Sequence, residues 1–291
     1  MSKITLHEPR GEEMPVWRDI WESVFGSVGM EAFFVNYFTP GVCVTAEFDG
    51  TPAAMGFLVP FGEIVDGSKP IPCMMIYSVA TLPEFRGKGL GSAVVRKLIE
   101  RSREYNSPAV VLCPSEDGLF EYYSARTELR DFFYVNEIVF RTAPDSTKKI
   151  LPVEVSVNDY SFLRENLLKD IIHIKHDLCA LKYQAELCKE LDGGLYKIDD
   201  SCAVIERQAD GAVWVKELLI PEMVTGDSAF DSYNNDIIAS IAEKYPAEEY
   251  VVRIPSRNGE GRRFGMLVIN NRTFGFSEKF SKSPWYGVAF D

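Results

Sequence analysis

Apolar positions along the chain follow two alternating periods, and the switches between them mark the elements. Between Pro15 and Phe25, P-V-W-R-D-I-W-E-S-V-F places Trp17, Ile20, Trp21, Val24 and Phe25 on one helical face. Met30 to Phe38 reads as a second, aromatic helix. Strand-like runs follow at Gly41 to Phe48 and Thr51 to Val59, joined at Asp49-Gly50, a dipeptide suited to the positive φ angles of a two-residue hairpin turn. A third run, Pro70 to Thr81, meets a breaker at Pro83 and a glycine-rich turn. An amphipathic helix comes next, its apolar Ala93, Val94 and Leu98 recurring at helical spacing. Ala109 to Leu112 is a short, wholly apolar run of the kind that forms a buried strand.

The second half returns to this order. Asp159 to Leu168 and Leu178 to Leu191 carry helical patterns, the latter closed by Gly193-Gly194. Leu195 to Ile198, Ser201 to Arg207 and Ala212 to Ile220 read as strands, Phe230 to Tyr245 as a helix and Tyr250 to Ile254 as a further strand. V-W-V-K-E-L-L-I-P-E precedes a helix here as M-I-Y-S-V-A-T-L-P-E does in the first half. Pro144 followed by D-S-T-K-K, Asp145 to Lys149, has the composition of a linker between them. The chain of 291 residues is long enough for one large domain or two ordinary ones.

The turn after Thr81 carries the candidate chemistry. Gly87, Gly89 and Gly91 let the backbone approach a ligand closely, and the helix start behind them presents unpaired N–H groups at the positive end of the helix dipole. A pyrophosphate is the natural occupant. The dinucleotide motif G-x-G-x-x-G would need a third glycine at Ser92, and the P-loop a terminal Gly-Lys-Ser/Thr; neither is present. Arg86, Gly89 and Gly91 instead spell R-x-x-G-x-G directly after V-A-T-L-P-E-F. Here the sequence resembles the GNAT superfamily of acyl-CoA-dependent N-acyltransferases, matching its Q/R-x-x-G-x-G/A motif together with Pro83 and Phe85 of the preceding strand pattern.

The resemblance implies an α+β fold of α/β/α layers, with a mixed, mostly antiparallel sheet flanked by helices. It extends to two tandem units: an acetyl-CoA-binding domain over 1–144 and a degenerate GNAT-like copy over 150–291, where no R-x-x-G-x-G follows Pro221. A single GNAT fold with an unrelated C-terminal domain is the rival architecture. In the family, the strand before the turn splays from its parallel neighbour and the thioester arm of acetyl-CoA enters the gap as an added strand would. Carried over by position, Val79, Ala80 and Thr81 meet the pantetheine and the acetyl carbonyl. Arg86, Gly87, Lys88, Gly89, Leu90, Gly91 and Ser92 then surround the pyrophosphate. The corresponding helices of the first half cover the acceptor side, so Trp17, Phe33, Phe34 and Tyr37 are either pocket lining or core.

The following C-P-S-E-D-G-L-F-E-Y-Y-S resembles the family's second cofactor segment, and places Tyr123 at the tyrosine that protonates the departing thiolate. A phenol with a pKa of about 10 is protonated at neutral pH and suits that role. Thr127-Glu128 stand where the family has Gly-Phe, and Tyr122 is an adjacent alternative; a merely packed tyrosine pair is a third reading. For the base that receives the amine's proton, Glu63, Glu116, an ordered water and, as in some relatives, the carboxylate of the chain's last residue, Asp291, all remain open.

Charge narrows the partners. Lys plus Arg number 31 and Asp plus Glu 43, a net charge of −12, which disfavours nucleic acid and anionic membrane and favours a cationic amine, small-molecule or peptide, as acceptor. Against that background Arg86, Lys88, Arg96, Lys97, Arg101 and Arg103 crowd one segment, either a phosphate-attracting patch or a solvated helix face. Six cysteines without a CxxC pair read as reduced thiols, and neither a signal peptide nor a membrane span is visible, so a cytoplasmic protein is expected. His173 and His176, as i,i+3 neighbours, could share a helix face, but without an accompanying carboxylate or thiolate motif no metal site is expected. Two functions fit: an N-acetyltransferase using acetyl-CoA as co-substrate, and a non-catalytic acyl-CoA-binding regulatory module. Homodimer formation, the acceptor and the acyl chain length are left open.

Overall fold

The computed structural model describes residues 3–8, 13–38, 43–67, 69–141, 143–146, 148, 150–221, 227–256, 261–270 and 283–291, with the main chain alone over 227–233. In chain order the elements are β1 (Ile4–His7), α1 (Met14–Phe25), α2 (Met30–Ala32, widening into a π-turn at Phe33–Tyr37), β2 (Cys43–Phe48), β3 (Thr51–Val65) and β4 (Ile71–Thr81). A 3-10 turn at Pro83–Phe85 leads to α3 (Leu90–Glu104), β5 (Ala109–Leu112), α4 (Gly118–Arg126) and β6 (Arg130–Phe140). Then come β7 (Val153–Glu154), α5 (Val157–Leu168), β8 (His173–His176), α6 (Leu178–Glu190) and β9 (Gly194–Ile198). The chain continues as β10 (Ser201–Arg207), β11 (Val213–Leu219), α7 (Asp227–Lys244), β12 (Tyr250–Pro255) and β13 (Arg262–Ile269). The hairpin turn expected at Asp49-Gly50 is present, with φ of 51° and 83° at its two residues. Residues 41 and 42 of the expected strand, and 147 and 149 of the expected linker, lie outside the described residues.

The chain forms two compact units that are not consecutive stretches of sequence. One comprises Met1–Ile64, Lys69–Phe133 and Arg263–Phe276; the other Val65–Ser68, Tyr134–Arg262 and Ser277–Asp291. The sequence alone suggested 1–144 and 150–291.

In the first unit, β1, β2, β3 and β4 pair antiparallel in succession, β4 pairs parallel with β5, and β5 pairs antiparallel with β13 through Met266↔Leu112 to Ile269↔Ala109. Alternation along the strands sends side chains to two faces. Leu58 and Ile76 join Val94, Val95, Leu98 and Ile99 of α3 and Phe120 of α4 in one core. Their neighbours Phe57 and Tyr77 face the other way, into rings from α1 and α2: Phe33 lies 4.9 Å from Phe57 and Trp21 5.7 Å from Tyr77, centroid to centroid. The α/β/α layering expected from the sequence is therefore present. Trp17, Phe33, Phe34 and Tyr37 are buried in this aromatic cluster, Trp17 donating to Thr45 Oγ1 at 2.9 Å and Tyr37 to the Pro60 carbonyl, so they are core.

The second unit has the same pairing pattern. β9, β10 and β11 run antiparallel, β11 pairs parallel with β12, and β12 pairs antiparallel with β6, from Tyr250↔Phe140 to Pro255↔Val135. Ile237, Ile238 and Ile241 of α7 cover one sheet face with Ala203, Ile205, Val213 and Val215. In each unit the strand antiparallel to the second member of the parallel pair comes from the other half of the sequence, β13 beside β5 in the first and β6 beside β12 in the second. His173 and His176, expected on a helix face, lie on the extended strand β8, where His173 and Ile174 are buried, Lys175 is exposed and His176 is buried again. All six cysteines are free thiols.

Candidate active site

β4 and β5 form a fork. Their parallel pairing runs from Cys73↔Ala109 to Ile76↔Leu112, where β5 ends, while β4 continues to Thr81 alongside β3. Within that continuation lies a β-bulge: Met55↔Ala80 and Phe57↔Tyr77 leave Ser78 and Val79 opposite Gly56 alone. Ser78 takes a φ of 48°, which turns the strand and redirects its peptide groups. Gly56 permits the bulge to sit against α3, because a Cβ there would lie 2.8 Å from Val94 Cγ1 and 3.3 Å from Val79 Cγ2. The expected residues Val79, Ala80 and Thr81 thus occupy the arm of β4 that outruns its parallel partner.

That arm leads directly into the glycine turn. Gly87 and Gly89 have φ of 77° and 82°, the left-handed conformation that L side chains rarely adopt, and the space where a Cβ would stand is open at both. Gly91 lies against the strand end, with Thr81 Oγ1 at 3.5 Å from an added Cβ. Gly89 is the N-cap of α3 without a side-chain cap, as a helix start shaped to accept an external anion requires. Arg86 Nε donates back to the Thr81 carbonyl at 3.3 Å, fastening turn to strand. Lys88 Nζ donates to the Glu84 carbonyl at 3.2 Å and lies over the rings of Phe48 and Phe85, at 4.4 and 4.6 Å from their centroids. Of the remaining cations, Lys97 pairs with Glu100, Arg101 with Glu8 and Glu104, and Arg103 with Glu128, which makes that part of α3 a solvated helix face.

The two tyrosines of α4 are differently placed. Tyr123 is buried in the α3–β5–α4 core, and its phenol is pushed up above its ordinary 10 by burial and by Tyr122. Tyr122 is half-buried; its hydroxyl accepts the Ser92 amide at 3.3 Å, and the Arg126 guanidinium lies 4.4 Å from its ring centroid. Thr127, in place of the family's glycine, ends α4 by donating its hydroxyl to the Tyr123 carbonyl at 2.7 Å, and buried Leu129 supplies an apolar side chain two residues later.

The candidate bases are not brought together. Glu63 pairs with Pro72, at the end of the β3–β4 ladder remote from the bulge, six residues or roughly 20 Å from Ser78 along an extended strand. Glu116 is exposed just beyond β5, its carbonyl accepting the Leu119 amide at 3.0 Å. Asp291 belongs to the second unit, where Arg253 Nη1 donates to its carboxylate at 2.6 Å and Lys216 stands 3.6 Å away. No group of three or more His, Cys, Asp or Glu side chains among the described residues is arranged to hold a metal ion, and no described helix is long and apolar enough to cross a membrane.

A strand fork, a bulge and an R-x-x-G-x-G turn capping a helix coincide with a family match: residues 11–121 fit the model of the Acetyltransferase (GNAT) family. Residues 11–121 form a GNAT-family acetyltransferase domain. The fork, the glycine turn and Tyr122 all fall inside this GNAT domain or within a residue or two of its end. Solved structures extend the likeness in fold over most of the chain. A GCN5-related N-acetyltransferase from Kribbella flavida aligns with a TM-score of 0.62 at 16% identity, covering 91% of this chain and 71% of its own. One from Anabaena variabilis gives 0.62 at 14%, covering 93% and 74%. One from Sphaerobacter thermophilus gives 0.50 at 12%, covering 91% and 94%. No curated protein matches the chain in sequence.

Proposed function

We propose that the chain is an N-acetyltransferase that moves an acetyl group from acetyl-CoA to a primary amine of a small molecule or peptide, with the second unit a GNAT-like copy whose nucleotide turn has decayed. The observation that carries this reading is the β4–β5 fork opening at Ile76↔Leu112 into the open-faced turn at Gly87 and Gly89. The residues present suit an acyl-CoA. The main-chain amides of Gly87, Lys88, Gly89, Leu90 and Gly91 hold the pyrophosphate at the start of α3, with Arg86 and Lys88 fixing the turn rather than reaching for the ligand. The edge of β4 from Val79 to Thr81 receives the pantetheine arm by main-chain hydrogen bonds.

The bulge at Ser78–Val79 supplies main-chain donors that polarise the thioester carbonyl, stabilising the oxyanion of the tetrahedral intermediate. Amine nitrogen attacks the carbonyl carbon; the C–S bond breaks as the intermediate collapses; Tyr123 gives its phenolic proton to the departing sulfur. Burial keeps that phenol protonated across the physiological range. The amine's proton leaves to water, with Glu116 the nearest carboxylate along the chain past β5.

The alternative, an acyl-CoA-binding module without turnover, draws on one observation: the Tyr122 hydroxyl already accepts the Ser92 amide. Thiol release on mixing the protein with acetyl-CoA and a panel of primary amines separates the two. Turnover with any acceptor supports the enzyme, and tight coenzyme A binding without turnover supports the module.

A further inference from the structure

The second unit has a fork too, and a side chain from each of its strands reaches Asp291. β11 and β12 pair in parallel from Val213↔Tyr250 to Val215↔Val252. As in β4, the outrunning strand is bulged: Val204↔Glu217 and Ile205↔Val215 leave Lys216 as the extra residue. The first residues beyond the last parallel pair are therefore Lys216 on β11 and Arg253 on β12. Both are buried, and both grip Asp291. Arg253 Nη1 donates to its carboxylate at 2.6 Å, while Lys216 Nζ stands 3.6 Å from the carboxylate and donates to the Asp291 main-chain oxygen.

The chain leading to Asp291 is anchored by its main chain beside β8 and by a side chain on Glu217 of β11. Trp285 Nε1 donates to Glu217 at 2.6 Å; the Trp285 amide donates to the Ile172 carbonyl at 2.7 Å; and the Ile174 amide donates to the Trp285 carbonyl at 3.1 Å. Gly287, at φ 82°, passes so close that a Cβ would stand 2.7 Å from His176 Nε2 and 2.9 Å from Glu217 Oε2. Phe290 packs edge-on against Tyr183 at 4.9 Å. Trp285, Tyr286, Val288, Ala289 and Phe290 are all buried.

Glu217 explains why the segment is needed. Its carboxylate is wholly buried and accepts Tyr160 at 2.7 Å, Arg164 Nε at 2.9 Å and Nη2 at 3.1 Å, and Trp285. A buried charge is tolerated only when its lone pairs are filled. Without Trp285 one oxygen of this carboxylate loses a donor in a site closed to water.

We infer that segment 283–291 is the intrachain occupant of the β11–β12 fork, so the second unit is closed to acyl-CoA and the chain binds one equivalent of it rather than two. The comparison with an acyl-CoA arm rests on the function proposed above; the occupancy itself does not. Hydrogen–deuterium exchange on the full chain tests it. The amides of Ile174 and Trp285 should exchange as slowly as the centre of β11, and saturating coenzyme A should leave them unchanged while calorimetry gives a stoichiometry of one. Gly287→Val should raise exchange across 283–291 and β11 residues 216–219 by more than tenfold while α3 keeps its protection. Asp291→Asn, a milder change, should raise exchange at 288–291 alone. Free-chain exchange of Trp285 in the unaltered protein, its deprotection by coenzyme A, or a stoichiometry of two would overturn the inference. Absence of any heat with coenzyme A, alongside a protected Trp285, would remove the proposed function and leave the occupied fork standing.

Discussion

The Tyr122 hydroxyl accepts the Ser92 amide at 3.3 Å, so a side chain of α4 holds one of the donors at the start of α3 that an anion would otherwise share. The contact is long for a hydrogen bond and the acceptor is neutral, whereas a phosphate oxygen offers a charged, shorter one. A ligand reaching Ser92 must displace the phenol. Tyr122→Phe removes the competitor, and with net hydrogen bonds worth about 0.5–1.5 kcal/mol, coenzyme A should bind roughly 2- to 10-fold more tightly in a calorimetric titration. Weaker binding would mean that the hydroxyl faces the ligand instead.

Tyr123 makes a separate prediction. If its phenol protonates the thiolate, Tyr123→Phe should lower kcat by about 10²- to 10⁴-fold with little change in acetyl-CoA affinity. Burial and the neighbouring Tyr122 raise its pKa, which keeps the proton in place to more alkaline pH than a free phenol would. The rate should therefore show no fall attributable to this group up to about pH 10, the ordinary phenol value. An alkaline limb centred below that, and absent from Tyr123→Phe, would contradict the burial seen here.

What could be read from the sequence and what could not divides along physical lines. The turn from Pro83 to Ser92 was legible because its glycines and Arg86 act locally, through φ angles and a carbonyl five residues away. β13 was not, although R-R-F-G-M-L-V-I is apolar enough for a strand, because its partner β5 lies more than 150 residues earlier and no local pattern encodes that pairing. His173 and His176 show the opposite error: a spacing of three suits a helix, but the extended backbone at β8 is fixed by bonds between Ile172, Ile174 and Trp285, far along the chain. Tyr122 and Tyr123 could not be separated by sequence, since adjacent helical residues differ only in direction, and direction is set by how α4 packs. Asp291 is singled out by the sequence as a candidate base, but Lys216 and Arg253 carry no local signal that pairs them with it, since they lie on two strands that tertiary structure alone brings to the end of the chain.

Gly56 links the bulge to the helix that carries the turn. An added methyl would meet Val94 Cγ1 at 2.8 Å and Leu98 Cδ1 at 3.1 Å, both on buried side chains of α3 with little room to move. Overpacking of this kind costs about 1–3 kcal/mol. Gly56→Ala should lower the unfolding free energy by that amount in a urea titration and, because α3 must shift from the bulge, weaken coenzyme A binding as well. Destabilisation with unaltered affinity would show that the turn is positioned independently of β3.

Three carboxylates of the second unit make its stability depend on pH, with a sign that can be worked out. Burial alone would raise the pKa of Asp291, but Lys216 and Arg253 outweigh it and hold the group below its ordinary 3.8. Glu137 is likewise held below 4.5 by Arg262 and Arg253 against burial, and Glu165 by His173 and Arg164. A carboxylate whose folded pKa lies below its unfolded value contributes stability above the unfolded value and loses it as pH falls through the folded one. Glu206, pushed up by burial, works in the opposite direction above 4.5, one group against three. Unfolding free energy should hold near neutrality and decline as pH drops below about 4.5, the ordinary glutamate value. Asp291→Asn should lose about 1–2 kcal/mol at pH 7, a charge-assisted bond discounted for partial exposure, and show a shallower acid decline. Parallel acid profiles for the two proteins would mean that Asp291 titrates alike in the folded and unfolded chain, and that its grip by Lys216 and Arg253 carries no stability.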